Sequence, residues 1–99
     1  MIIRLVNMYF KPEKMNDFLE VFHASKDKIR DFKGCRHLEL LQVDGDESSL
    51  MTYSIWDSVE DLDQYRHSKL FKETWAKTKV HFRAKPEAVS YKRLVEVGN

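Results

Sequence analysis

The sequence predicts a single α+β domain with the ferredoxin-like βαββαβ order, in which helices cover one face of a four-stranded antiparallel sheet. Strand-like runs occupy residues 2–10, 35–43, 49–56 and 88–95, and helical spacing fills the long segments after the first and third runs. This order of elements is that of the split βαβ unit. A chain of 99 residues suffices for one such domain, which we expect to span residues 1–99.

The first strand, residues 2–10, mixes β-branched and aromatic residues and ends at a Lys-Pro pair that suits a helix start. Apolar residues then recur with helical spacing over residues 13–32, and Gly34 supplies the C-terminal stop. The Asp-Gly-Asp sequence at 44–46 is typical of a hairpin turn between the second and third strands. Pro86 precedes the last strand.

The segment between the third and fourth strands predicts two helices instead of one. On a continuous helix, Tyr65 and Phe71 would lie about 240° apart at 100° per residue. Ser68 lies between them and is a residue type that caps helix N-termini well. We therefore predict helices over residues 58–66 and 69–82, with a bend at Ser68.

Both faces of the first strand are largely apolar, although two helical segments can cover only one face of the sheet. One face carries Ile3, Leu5, Asn7 and Tyr9, and the other carries Ile2, Val6, Met8 and Phe10. An identical sheet is the simplest cover for the second face. We therefore predict a homodimer.

Composition and charge argue against several classes of protein. The 17 basic and 16 acidic residues are interspersed, without the basic stripe of a nucleic-acid-binding protein. No run approaches the ~20 apolar residues of a membrane span. The single Cys35 leaves no internal disulfide and fits a reducing cytoplasm. We expect a cytoplasmic protein without a nucleic-acid or membrane partner.

Motifs for bound cofactors are missing from the sequence. The four histidines lack the spacing of metal-binding motifs, and neither a glycine-rich nucleotide loop nor a nucleophile elbow occurs. We expect no metal and no cofactor.

Aromatic side chains with hydrogen-bonding groups are concentrated around the two predicted helices. His67, Phe71 and Trp75 follow i, i+4, i+8 spacing and can form one ridge. Taken alone, this ridge is most simply an aromatic core stripe, and Trp56 a packing anchor for the helix start. The alternative is a pocket wall, which Tyr65 and His67 can share only if the helix bends.

Asn7 is an amide in an otherwise apolar strand, with Tyr9 two residues further on the same face. The ordinary interpretation is a rim residue whose amide bonds to the backbone or to water. The functional interpretation is a donor directed into a pocket, because a buried amide must find partners.

The chain resembles the antibiotic biosynthesis monooxygenase (ABM) family of dimeric α+β barrels over nearly its whole length. The most specific motifs are Tyr53-Ser-Ile-Trp56-Asp-Ser-Val-Glu-Asp-Leu62 and Tyr65-Arg-His-Ser68-x-x-Phe71, with Phe32-Lys-Gly34-Cys35 and Lys11-Pro12-Glu13 in support. The pattern identifies the family well and the reaction poorly, because related folds host several activities.

The resemblance implies a monooxygenase that uses O₂ as co-substrate, without metal or flavin, and oxidises a small aromatic or quinol-type metabolite. Such chemistry needs a dry pocket and hydrogen bonds to a developing phenolate. Asn7 stands where the family's pocket asparagine is expected and would orient the substrate, while His67 would transfer a proton. The predicted catalytic residues are Asn7, His67, Tyr65 and Trp75, and the predicted substrate-binding residues are Tyr9, Trp56 and Phe71.

Two alternatives to this function stay open. The first is a non-catalytic dimeric module of the same fold, which binds a small apolar molecule or serves in a stress response. The second is haem degradation, which a branch of the family performs with an asparagine, a tryptophan and a proximal histidine. This chain has Tyr65 and Trp75 at the last two positions, so it lacks the axial ligand.

Overall fold

The computed structural model describes residues 1–98 and contains a four-stranded antiparallel sheet with three helices. The elements are β1 (Ile2–Tyr9), a 3-10 turn (Pro12–Lys14), α1 (Met15–Arg30), β2 (Cys35–Val43), β3 (Asp46–Trp56), α2 (Val59–Arg66), α3 (Lys69–Lys79) and β4 (Glu87–Lys92). The predicted βαββαβ order and fold class are confirmed.

The strand order in the sheet is β2-β3-β1-β4, so β1 lies between β3 and β4. Val6 is opposite Thr52 on β3 and Ala88 on β4. Because side chains alternate along a strand, these three residues point to the same side of the sheet. They lie on the side that the helices cover, which we call the helix face, and the opposite side is called the open face.

The bend between α2 and α3 is present at the predicted place. The Ser68 hydroxyl accepts a hydrogen bond from the backbone N–H of Phe71 at 3.1 Å, as an N-cap residue does. The prediction of a helix as far as residue 82 is wrong, because α3 ends at Lys79. Beyond it, Phe82 forms an isolated antiparallel bridge with Phe10. None of the helices formed by residues 1–98 has the length and apolar character needed to cross a membrane.

The core lies on the helix face in two clusters. The first contains Ile2, Cys35, Trp56 and Leu62, and the second contains Met8, Phe10, Phe18 and Leu50. On the open face, by contrast, Leu41, Val89 and Tyr91 are 42%, 46% and 49% exposed. The expectation that the helices leave one apolar face uncovered is therefore met.

The turn between α1 and β2 depends on glycine. Gly34 has a φ of +87°, and a Cβ atom there would overlap the side chain of Asp61. We expect Gly34→Ala to lower the free energy of unfolding by about 2–4 kcal/mol, through backbone strain and overpacking together. Gly45 is a matched control, with φ +89° and no heavy atom within 4 Å of such a Cβ. Gly45→Ala should cost only the strain, about 1–2 kcal/mol. Equal losses in urea unfolding would show that the Asp61 contact is unimportant.

Candidate functional site

A cavity of about 340 Å³ lies between the helix face of the sheet and the three helices. Its volume falls in the ~300–1,000 Å³ range of small-molecule sites. Val6 and Met8 of β1 and Phe18, Phe22 and Ile29 of α1 supply much of its apolar wall. Serine and threonine residues on the sheet, α1 and α3 also border it. The cavity is therefore largely apolar, with a small number of polar groups.

Four aromatic rings form a continuous row along one side of the cavity. Tyr65 stacks on Trp56, with ring centroids 4.9 Å apart, and meets the edge of Phe71 at 5.3 Å. Phe71 in turn stacks on Trp75 at 5.9 Å with an interplanar angle of 9°. The bend at Ser68 makes the contact between Tyr65 and Phe71, because a continuous helix would place these residues on different faces.

Two polar groups in this aromatic row are available to a ligand. Within residues 1–98, neither the Tyr65 hydroxyl nor the Trp75 indole N–H has a hydrogen-bond partner. Every fully buried side-chain nitrogen or oxygen in this part of the chain does have one. The Tyr65 hydroxyl and the Trp75 N–H must therefore be at least partly accessible to solvent. The indole of Trp56 differs, because its N–H donates to the Ser54 hydroxyl at 3.0 Å. Tyr65 and Trp75 thus border the cavity with unpaired donors, whereas the Trp56 indole is already hydrogen-bonded.

The phenol of Tyr65 is held in its neutral form. Burial, and secondarily the nearby Cys35 thiol, raises the pKa of Tyr65 well above its ordinary value. An unfolded tyrosine ionises near pH ~10, so above that pH the unfolded state loses a proton that the folded state keeps. The free energy of unfolding should therefore fall as the pH rises above ~10.

We expect Tyr65→Phe to flatten this decline of the unfolding free energy, measured by urea unfolding between pH 9 and 11. If the slope of unfolding free energy against pH is the same in Tyr65→Phe as in wild type, the raised pKa of Tyr65 is contradicted.

Two arginines border the cavity. Arg4 lies on the helix face of β1, and its Nη1 donates to the Ser90 hydroxyl at 2.9 Å. Burial and the neighbouring Arg66 lower the pKa of Arg4, while Asp63 opposes this shift. Neither arginine is among the site residues predicted from the sequence. The signal was present for Arg4, which shares its strand parity with Ile2, Val6 and Met8 and so places a charge in an apolar row.

Asn7 and Tyr9 are placed on the open face and do not border the cavity. Val6 and Met8 point into the cavity, so the alternating residues Asn7 and Tyr9 point to the opposite side of β1. The Tyr9 hydroxyl donates to the Glu87 carboxylate, and the guanidinium carbon of Arg83 lies 5.7 Å from the ring centroid. The expected convergence of Asn7 with Tyr65 and Trp75 is therefore wrong within one protomer.

His67 is exposed at the C-terminus of α2, outside the cavity lining. Its Nδ1 lies 2.7 Å from the backbone oxygen of Asp63. The bend at Ser68 follows His67, so it reorients only the residues after it and leaves His67 about 200° around α2 from Tyr65. The expectation that the bend brings His67 and Tyr65 to one cavity is wrong. Any catalytic role of the predicted residues stays a prediction.

A sequence model described as "Antibiotic biosynthesis monooxygenase" matches residues 1–77. The matched stretch includes β1, both strands of the hairpin and the aromatic row of α2 and α3. It therefore contains most of the residues that border the cavity.

Solved structures share the fold at low sequence identity. One described as an antibiotic biosynthesis monooxygenase aligns with a TM-score of 0.90 and 18% identity, over 96% of this chain and 100% of its own. A conserved protein from Methanosarcina mazei Go1 gives 0.88 and 23%, over 94% and 93%. Rv0793 from Mycobacterium tuberculosis gives 0.88 and 18%, over 98% of both chains. At such identities the likeness establishes the fold alone. No match is found among curated proteins.

Proposed function

Because the chain belongs to the antibiotic biosynthesis monooxygenase family, we propose that it oxidises a small aromatic or quinol-type metabolite with O₂ in the cavity between helices and sheet. The observation that supports this site most strongly is the row of four aromatic rings, in which Tyr65 and Trp75 keep hydrogen-bond donors free. Flat aromatic walls suit a flat aromatic ligand, and the apolar lining suits a reaction that must exclude water.

The proposed reaction uses electrons of the substrate and no resident cofactor. A phenol-type substrate loses a proton to water as it enters the cavity, and its anion transfers an electron to O₂, which becomes superoxide. The two radicals combine at a substrate carbon that bears hydrogen, and the resulting peroxide anion takes up a proton from water to form a hydroperoxide. Loss of water then leaves a carbonyl, so one oxygen atom enters the quinone product and the other leaves as water.

Tyr65 and Trp75 would act on the developing phenolate. The raised pKa keeps the Tyr65 phenol protonated, so it can donate a hydrogen bond to an anionic oxygen. The Trp75 N–H supplies a second donor from α3. Phe71 stacks on Trp75, and Trp56 stacks on Tyr65, which holds both donors in position.

Aerobic turnover of a hydroquinone panel under ¹⁸O₂, followed by O₂ consumption and by the uptake of one ¹⁸O atom into the quinone product, tests this function. Wild type should form quinone, and Tyr65→Phe and Trp75→Phe should each lower kcat/KM about tenfold to a hundredfold through the loss of one donor. His67→Ala is the matched control and should retain activity, because His67 lies outside the cavity. An inert wild type, or activity lost only in His67→Ala, would refute the proposed site.

A second candidate function is ligand binding without turnover. The part of the chain that the structure describes places no histidine, aspartate or glutamate in the cavity lining. A substrate that needs a protein base to remove its proton would therefore find none there. In that case the ligand would bind in the cavity, and the protein would not accelerate O₂ consumption.

We further propose that the open face packs against the open face of an identical protomer. Exposed apolar side chains lie on both edge strands of this face, Leu41 on β2 and Val89 and Tyr91 on β4. Between them, β1 and β3 contribute Leu5 and Tyr53. A contiguous apolar sheet surface is typical of a protein interface. A twofold axis would let the two sheets bury the same surface on both copies, with Asn7 inside the interface.

A further inference from the structure

The cavity contains a positively charged region that the proposed oxidation does not require. Arg4 is half-buried on the helix face, and within residues 1–98 its guanidinium makes one hydrogen bond, to the neutral Ser90 hydroxyl. Among residues 1–98, no carboxylate lies within 4 Å of its guanidinium, whereas four of the five other arginines have such a partner. Partial burial removes some of the water around a guanidinium, so an anionic ligand group beside it would restore favourable interactions.

Arg66 adds a second positive charge to the same cavity. It borders the cavity from α2, and its charge acts on Arg4. Asp63 is the acidic group in this region, and its carboxylate lies 3.9 Å from Nη1 of Arg66, not next to Arg4. Two guanidinium groups and one carboxylate give a net positive charge beside the aromatic row.

We infer that the ligand of this cavity is an aromatic acid whose carboxylate binds Arg4 and Arg66 while its ring packs against Tyr65 and Trp75. This inference rests on the proposal that the cavity is the ligand site. Guanidinium groups bind carboxylates through two parallel hydrogen bonds, which fixes orientation as well as adding affinity. The carboxylate would thus orient the ring against the donors of Tyr65 and Trp75.

Two ligands of matched shape test the inference by isothermal titration calorimetry. Naphthalene-2-carboxylate carries the negative charge, and naphthalene-2-carboxamide replaces it with a neutral group of similar size. Wild type should bind the carboxylate at least about tenfold more tightly than the carboxamide. Added salt should weaken binding of the carboxylate only.

Arg4→Gln should remove most of this preference, weakening the carboxylate about tenfold and leaving the carboxamide unchanged. Arg93→Gln is the matched control. It removes the same charge from an arginine that lies outside the cavity and pairs with Glu96. Both ligands should bind this control as they bind wild type. If Arg4→Gln does not fold, the same loss of preference for the carboxylate is expected in Arg66→Gln. The ratio of the two affinities in wild type is measured in either case.

The outcomes separate this inference from the function on which it rests. If wild type binds the carboxamide as tightly as the carboxylate, the inference is overturned. The cavity then remains supported as a binding site for aromatic ligands. If neither compound binds, both the inference and the proposed ligand site are overturned. An equal loss of carboxylate affinity in Arg93→Gln would assign the preference to overall charge and would also overturn the inference.

Discussion

Replacing Leu5 by lysine is expected to convert the protein from a dimer to a monomer without unfolding it. Leu5 is on the open face of β1, opposite Tyr53 of β3 and Val89 of β4. In the proposed dimer, each protomer would bury one lysine charge within an apolar interface, at a cost of several kcal/mol per ion. Since each 1.4 kcal/mol changes a dissociation constant tenfold, the dimer should weaken by about a thousandfold or more.

Sedimentation velocity measures this change, and far-UV circular dichroism checks that the fold is kept. Val80→Lys serves as the control, because Val80 follows α3 and is 61% exposed. It introduces the same charge away from the open face and should leave the dimer intact. A wild type that sediments as a monomer, or a Leu5→Lys variant that remains dimeric, would refute the sheet-to-sheet interface.

Trp56→Ala should cause the largest loss of stability of any single substitution in the aromatic row. Trp56 is 1% exposed, and its indole donates to Ser54 at 3.0 Å. It packs in a core cluster with Ile2 and Leu62 and stacks on Tyr65. Truncation of a buried tryptophan costs about 3–5 kcal/mol, a large part of the ~5–15 kcal/mol that stabilises a typical domain. Urea unfolding at pH 7 measures the loss.

Trp75→Ala is the matched control for this substitution. Trp75 is only half-buried, borders the existing cavity and stacks on Phe71. Its truncation enlarges a space that is already open, so the loss should be smaller, about 1–2 kcal/mol. Equal losses for the two variants would mean that Trp56 is not the principal anchor between β3 and α2.

Local signals in the sequence were sufficient for the fold and for the bend in the aromatic segment. Alternation and helical spacing depend on short-range geometry, so they identify strands and helices before tertiary contacts are known. The change of phase between Tyr65 and Phe71, with the cap at Ser68, located the break between α2 and α3. That break places Tyr65, Phe71 and Trp75 at one cavity.

The positions of Asn7 and Arg4 required tertiary information. Both faces of β1 are apolar, so its pattern does not say which face the helices cover. A shift of one residue in the alignment of a strand moves every side chain to the other face. The family resemblance predicts that Asn7 lies in the cavity. In the structure, α1 instead packs on the face of β1 that carries Val6 and Met8. Arg4 lies on that same face, although charged residues in strands usually face solvent.

We expect a small aromatic ligand to bind in the cavity on the helix face. An isotope-filtered NOE experiment on the complex with 1,4-naphthoquinone, a product-like probe, tests it directly. Val6 and Ala88 border the cavity, whereas their neighbours Leu5 and Val89 lie on the open face. We expect NOEs from the ligand protons to the methyl groups of Val6 and Ala88. NOEs to Leu5 and Val89, without NOEs to Val6 and Ala88, would place the ligand on the open face and contradict binding in the cavity.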